Sequence, residues 1–152
     1  MDVEDRLATM GLVLPAPPAP VGNYRAGLVR GACGALSGQF PIRDGKPAMT
    51  GLLGREISVE QGQEAARLAG LNMLAQLKHL LGTFARLAGL IRMDGLVASV
   101  PDFEQHAAVL DGASDLLAAV LGERGAHTRS VAGVASLPMR MPIEIVVTFA
   151  VT

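Results

Sequence analysis

Ser58-Val59-Glu60-Gln61 marks the start of a helix, and no other short stretch constrains the fold as much. A serine with glutamine three residues on forms a capping box, in which each side chain satisfies a backbone donor left free by the first turn. Glu60 and Glu64 complement the positive end of the helix dipole. Ala66, Ala69, Met73, Leu77 and Leu80 then recur at helical spacing, and Lys78 and His79 precede Gly82, so the spacing predicts a helix over 59–81. Small residues on its buried stripe suit close packing on a sheet.

The rest of the chain supplies that sheet. Residues 2–9 read as a short helix and Leu12-Val13-Leu14 as a short strand, before PAPPAP at 15–20 forces an extended path. Residues 1–20 are read as an ordered leader of a single domain spanning 1–152. LVRGACGALS at 28–37 predicts a hairpin, with Gly31 and Gly34 marking a turn or bulge, and Asp44-Gly45 and Pro47 turn the chain toward the long helix. Residues 90–98 alternate as a strand. Pro101-Asp102 is expected to open a second helix, with Asp102 as N-cap and Phe103, Ala107, Leu110, Ser114, Leu117 and Leu121 near one face, ending at Gly122 or Gly125. Strands at about 129–135 and 143–151 follow, joined through Leu137-Pro138 to Pro142 and read as a hairpin.

The order hairpin, helix, strand, helix, hairpin implies an α+β two-layer sandwich, a mixed sheet with both helices on one face. The strands stay apolar or small on both faces, and no residues are left to cover the second one. A closed homo-oligomer is the economical expectation.

Composition narrows the function classes. Half the residues are hydrophobic and 18% are charged, as in a globular domain, and no apolar run reaches the roughly 20 residues of a membrane helix. The acidic start MDVEDRLATM lacks a signal-peptide core. Cys33 stands alone, so no intramolecular disulfide forms, and a cytoplasmic location is expected. A net charge of −1 with 3% aromatics argues against a nucleic-acid partner.

Two charges inside the final strands carry the chemistry. Arg129 enters one strand and Glu144 sits inside the next, where charged residues need compensation. One hairpin would bring them close, an arginine fork for a carboxylate beside an acid that steers water. Equally, they could form a partly buried ion pair or face solvent. His79, His106 and His127 lack metal-ligand spacing, so no zinc site is expected; His79 and His106 read as surface residues, while His127 could line the same mouth as Arg129. Cys33 reads as a small buried hydrophobe. Ser37-Gly38-Gln39 lacks a G-x-S-x-G frame and suits close approach of backbone and amide groups to a ligand or a neighbouring subunit. Neither G-x-G-x-x-G nor a Walker motif occurs.

Asn23-Tyr24, Ser37 to Pro41, Ser58 to Ala66, and Arg129-Ser130 through Leu137-Pro138 to Ile143-Glu144-Ile145 together resemble the reactive-intermediate deaminase family, RidA, also called YjgF. The likeness runs over nearly the whole chain and is nearest a subgroup with a longer N-terminal leader. It implies a chorismate-mutase-like fold assembled as a homotrimer with clefts between subunits. It also implies hydrolysis of 2-imino acids, or enamine tautomers such as 2-aminoacrylate, to 2-keto acids and ammonia without metal or cofactor. Arg129 then matches the residue that binds the substrate carboxylate, Glu144 the acid that positions water, and Tyr24 the cleft tyrosine, facing Arg129 of a neighbouring subunit. Ser37, Gly38, Gln39 and Asp111 complete the expected site. The chain departs from the pattern at Val131, often cysteine; at Val146, which replaces a second acid; and at Asp111, near a cleft asparagine. A carboxylate at 111 repels an anionic substrate unless it is protonated or turned away. The other readings are a non-catalytic trimer that binds a small carboxylate and an endoribonuclease. An Arg129 paired with Glu144 or Asp111 in a closed cleft would remove the basis of the catalytic reading.

Overall fold

In the computed structural model, which describes residues 1–152, the capping box forms as the sequence dictates. Gln61 N donates to Ser58 Oγ at 3.2 Å and Ser58 N to Gln61 Oε1 at 2.9 Å. In chain order the elements are α1 (Val3–Thr9), β1 (Gly27–Arg30), β2 (Cys33–Gln39), β3 (Ile42–Arg43), β4 (Lys46–Pro47), α2 (Val59–Leu81), β5 (Leu87–Ala98), α3 (His106–Leu121), β6 (Thr128–Val134) and β7 (Ile143–Val151). Single turns of 3-10 helix lie at Phe84–Arg86, Gly122–Gly125 and Pro138–Arg140.

Five strands form one mixed sheet in the order β1-β2-β7-β5-β6, and β3 and β4 pair as a separate small hairpin about the Asp44-Gly45 turn. Helices α2 and α3 pack on one face, over Met93, Val97, Ile143, Ile145, Val147 and Phe149, all buried. The two helices come close because Gly112 lies against the backbone of Gln63, where a Cβ would strike the Gln63 carbonyl. The third helix, α1, leans on α3 and buries Val3 and Leu7. No helix is long and apolar enough to cross a membrane.

The chain departs from the sequence-based expectations in four places. β6 and β7 are not a hairpin: β5 lies between them, parallel to β6 and antiparallel to β7. Helix α3 is the crossover that a parallel pair needs, so β5-α3-β6 forms one unit and the 135–142 connection returns the chain to the far side of β5. Leu12-Val13-Leu14 pairs with no strand; Leu12 N closes the end of α1 on Leu7 O at 2.8 Å, and Leu12 and Leu14 pack on the core. Asp102 does not cap α3. It sits in a turn closed by Phe103 N to Val100 O at 3.1 Å, and the helix begins four residues later after Gln105. Cys33 is exposed, because the buried contact in that strand belongs to Gly34, which lies under the Phe149 ring.

The sheet face opposite the helices carries Ala35, Arg92, Asp94, Leu96, Val146 and Thr148, exposed or half-buried. Arg92 Nε donates to Asp94 Oδ1 at 2.8 Å and Ser130 Oγ donates to the same oxygen, which holds the Asp94 carboxyl below the usual range, the serine bond contributing most.

Candidate functional site

Glu144 and Arg129 each head a separate cluster. The first is built by an irregularity in β2. Leu36 faces Val147 and Gln39 faces Ile145, so β2 spends one more residue than β7 over that interval, a bulge that lifts Ser37 and Gly38 over Glu144. Only glycine fits at 38, since a Cβ there would collide with the Glu144 carboxylate. Ser37 is pinned by its Oγ donating to Arg25 O at 2.6 Å, and buried Gln39 braces the bulge by donating to Ser37 O at 3.0 Å. Gln39 therefore supports the cleft from behind, whereas Ser37 and Gly38 line it with Val21, Tyr24, Phe40, Pro138 and Glu144. Tyr24 is 47% exposed, and its hydroxyl accepts from Val21 N at 3.2 Å. Glu144 has no hydrogen bond or ion pair within the chain, and partial burial pushes its carboxyl above the usual range. A partly desolvated, unpartnered carboxyl at an open cleft is suited to moving a proton or steering water.

Pro138 reaches this cleft on a strained turn. Met139 and Arg140, at φ 52° and 57°, both adopt left-handed backbone, at a cost of about 1–3 kcal/mol each. The turn is held by Gly51 N donating to Arg140 O at 2.9 Å and Met141 N donating to Pro138 O at 3.1 Å.

The second cluster joins β6 to α3. Arg129 Nη1 donates to Asp111 Oδ1 at 2.7 Å and to Ser114 Oγ at 3.1 Å, while Nη2 makes only a long bond to Ala107 O at 3.4 Å. Asp111 and Ser114 lie three residues apart, on one face of α3. His127 continues the chain of contacts, its Nε2 3.0 Å from Ser114 Oγ and its Nδ1 2.6 Å from Gly125 O. A carbonyl only accepts, so Nδ1 carries a proton and donates to Gly125 O; Ser114 Oγ accepts from Arg129 and is hydrogen-bonded to Nε2 as well. Arg129 thus pairs with Asp111, but the cluster stays open: the Asp111 side chain is 50% exposed and that of Arg129 24%. His79 is exposed, and His106 stacks edge-on to Phe103. No group of three or more His, Cys, Asp or Glu side chains is placed to hold a metal ion.

Within one chain the clusters do not meet. Arg129 stands opposite Met93 and Val147 on the helix-covered face, and Glu144 opposite Leu96, which is level with Ala132 on the other face. Two strand spacings and three residues of offset separate them, about 10 Å across the sheet and about 10 Å along it. Tyr24, Ser37 and Gly38 gather around Glu144; Asp111 joins Arg129. Ser114 and His127 complete the arginine cluster. Ser114 is the residue that sequence reasoning assigned to an apolar face, although its i+3 spacing from Asp111 carried the signal.

The family described as "YjgF/chorismate mutase-like, putative endoribonuclease" matches residues 4–151. The solved structure of Atu1372 from Agrobacterium tumefaciens, a protein of unknown function, is 41% identical with a TM-score of 0.92, covering 99% of this chain and 92% of that one. A structure from Shewanella oneidensis, called a "putative endoribonuclease", is 35% identical with a TM-score of 0.95 and covers 99% of each chain. Protein TCP17 of Trypanosoma cruzi is 38% identical over 144 residues, 94% of this chain and 90% of its own.

Proposed function

This chain belongs to the YjgF/chorismate mutase-like family, the RidA/YjgF family of the sequence likeness, and on that premise we propose that it hydrolyses 2-imino or enamine acids to 2-keto acids and ammonia in clefts between subunits of a homotrimer. The observation that carries this reading is Glu144, an unpaired carboxyl raised by burial at the mouth of a cleft floored by Gly38. An imine carbon is already electrophilic, so the protein need only hold the carboxylate, orient water and carry its protons to nitrogen. Water adds through oxygen to the imine carbon, the C=N pair moves to nitrogen, and the resulting carbinolamine expels ammonia as the keto group forms. Glu144 accepts the proton of the attacking water and delivers it to nitrogen; as the C–N bond breaks it takes the carbinolamine hydroxyl proton and passes that to the departing nitrogen, so that ammonia leaves.

Arg129 supplies the carboxylate grip, its planar fork offering orientation that a lysine lacks. The separation of the two clusters within one chain supports a neighbouring copy as the source of the missing half. A heterologous ring sets the β6 cluster of one subunit against the β7 cluster of the next, and three copies close it.

The test generates 2-iminopropanoate with an amino-acid oxidase and traps it with semicarbazide. The protein is expected to reduce trapping and Arg129→Ala to abolish that effect; equal trapping by both overturns the reading. Mixing Arg129→Ala with Glu144→Gln and reassembling the subunits checks the shared cleft, since about one interface in four of a random ring then carries both intact halves.

The Arg129–Asp111 pair favours a second reading, recognition of a small carboxylate metabolite without turnover. Saturable ligand binding with no change in trapping would select it. An endoribonuclease is disfavoured by the net charge of −1 and the scarcity of aromatics.

A further inference from the structure

We propose that Asp111 makes the Arg129 cluster selective for a zwitterion, a compact ligand bearing both a carboxylate and a cationic nitrogen, over a simple carboxylate anion. The proposal rests on the reading of Arg129 as the carboxylate grip and adds the residue that decides which carboxylates it accepts.

The charges at this cluster cancel. Arg129 brings one positive charge and Asp111 one negative charge 2.7 Å away, and Ser114 and His127 extend the pair as a hydrogen-bonded chain. A lone arginine attracts any anion. This one presents a carboxylate beside its free donors, and a like charge about 5 Å from a bound anion costs on the order of tenfold or more in affinity under surface-like screening.

The unused hydrogen-bonding capacity has the opposite preference. Arg129 Nε has no partner, and Nη2 has only the 3.4 Å contact to Ala107 O, so one edge of the fork is open. Asp111 binds through Oδ1 alone, leaving Oδ2 free on a half-exposed side chain. The pair therefore offers a donor edge and an acceptor oxygen side by side. In an α-amino acid or a protonated α-imino acid the nitrogen and the carboxyl carbon share one carbon atom, so the two charges lie as close together as the two protein groups. The carboxylate takes the open arginine edge and the nitrogen takes Oδ2. Asparagine at 111 keeps the shape and an oxygen that accepts from Arg129, but removes the negative charge that draws the nitrogen and repels the anion.

L-Alanine and pyruvate differ in this respect and little in size. Nuclear magnetic resonance titration of the full chain at neutral pH is expected to show L-alanine binding at least tenfold more tightly than pyruvate. In Asp111→Asn the order reverses, with pyruvate gaining about tenfold and L-alanine losing affinity as the charge that draws its nitrogen is removed. Wild-type protein that binds pyruvate as well as L-alanine, or binds neither, overturns the proposal, and this comparison needs no variant to fold. An unchanged order in a folded Asp111→Asn protein overturns it as well. Loss of imine hydrolysis in Arg129→Ala together with pyruvate-favouring binding sinks the role of Asp111 alone. Ligand binding that survives Arg129→Ala sinks the reading of Arg129 on which it rests.

Discussion

The arginine cluster and the glutamate cluster solve opposite problems. Arg129 is a charge whose needs are largely met within the chain, by Asp111, Ser114 and the backbone of α3. Glu144 is a half-buried charge with no hydrogen-bond partner within the chain, kept against Gly38 at the mouth of an open cleft. A satisfied group costs little to keep and serves as a fixed recognition element, whereas an unsatisfied one is held at some expense to stability and is suited to react. The division of labour proposed for the cleft is consistent with how each side chain is held.

The largest expected effect comes from removing the reactive half. Glu144→Gln, nearly the same shape, should lower imine hydrolysis by about 10²–10⁴-fold in a trapping assay. The same variant should be the more stable protein at neutral pH. Burial raises the Glu144 carboxyl in the folded state, so over the interval between its unfolded and folded ranges the native chain binds a proton more readily than the unfolded chain does. Stability is then fullest at pH values below the unfolded carboxyl range and declines as pH rises through the raised one. Thermal melts of the two proteins should converge in acid and separate toward neutrality, and a neutral melt lower for Glu144→Gln would contradict this account.

Arg129→Lys keeps the charge and loses the fork, so activity should fall by about 10–100-fold, mostly through weaker substrate affinity. Steady-state kinetics with unchanged KM would show that Arg129 does not orient the carboxylate. Gly38→Ala attacks the glutamate half sterically and should cost about 1–3 kcal/mol in chemical denaturation. Ser114→Ala, on the arginine side, should cost only about 1 kcal/mol or less, because Arg129 retains Asp111. A Ser114→Ala protein more damaged than Gly38→Ala would reverse the contrast between a cluster with slack and one without.

The sequence exposed these features unevenly. Helix α2 was legible because its box, dipole charges and terminal glycine lie within the segment itself. The neighbours of Glu144 could be named from Tyr24 and the Ser37-Gly38 stretch, although the reason for glycine at 38 is a contact with a strand more than a hundred residues away. What stayed hidden was pairing. Two strands joined by a short Leu-Pro connection look like a hairpin, and only the α3 crossover shows that β5 separates them. That misreading placed Arg129 and Glu144 side by side when they lie on opposite faces. Asp111 could be singled out by its position near an expected asparagine, but its bond to Arg129 is a helix-to-strand contact that no local pattern records.

The turn at Met139 and Arg140 has a consequence for engineering. Two consecutive side-chain-bearing residues in left-handed backbone are a store of stability waiting to be released, and Met139 is 52% exposed with little packing to lose. Asparagine tolerates that conformation better than methionine. Met139→Asn should raise the melting temperature while leaving the identity of every cleft-lining side chain unchanged, which makes this surface turn, and not the filled core, the first place to look for a hardier version of the protein.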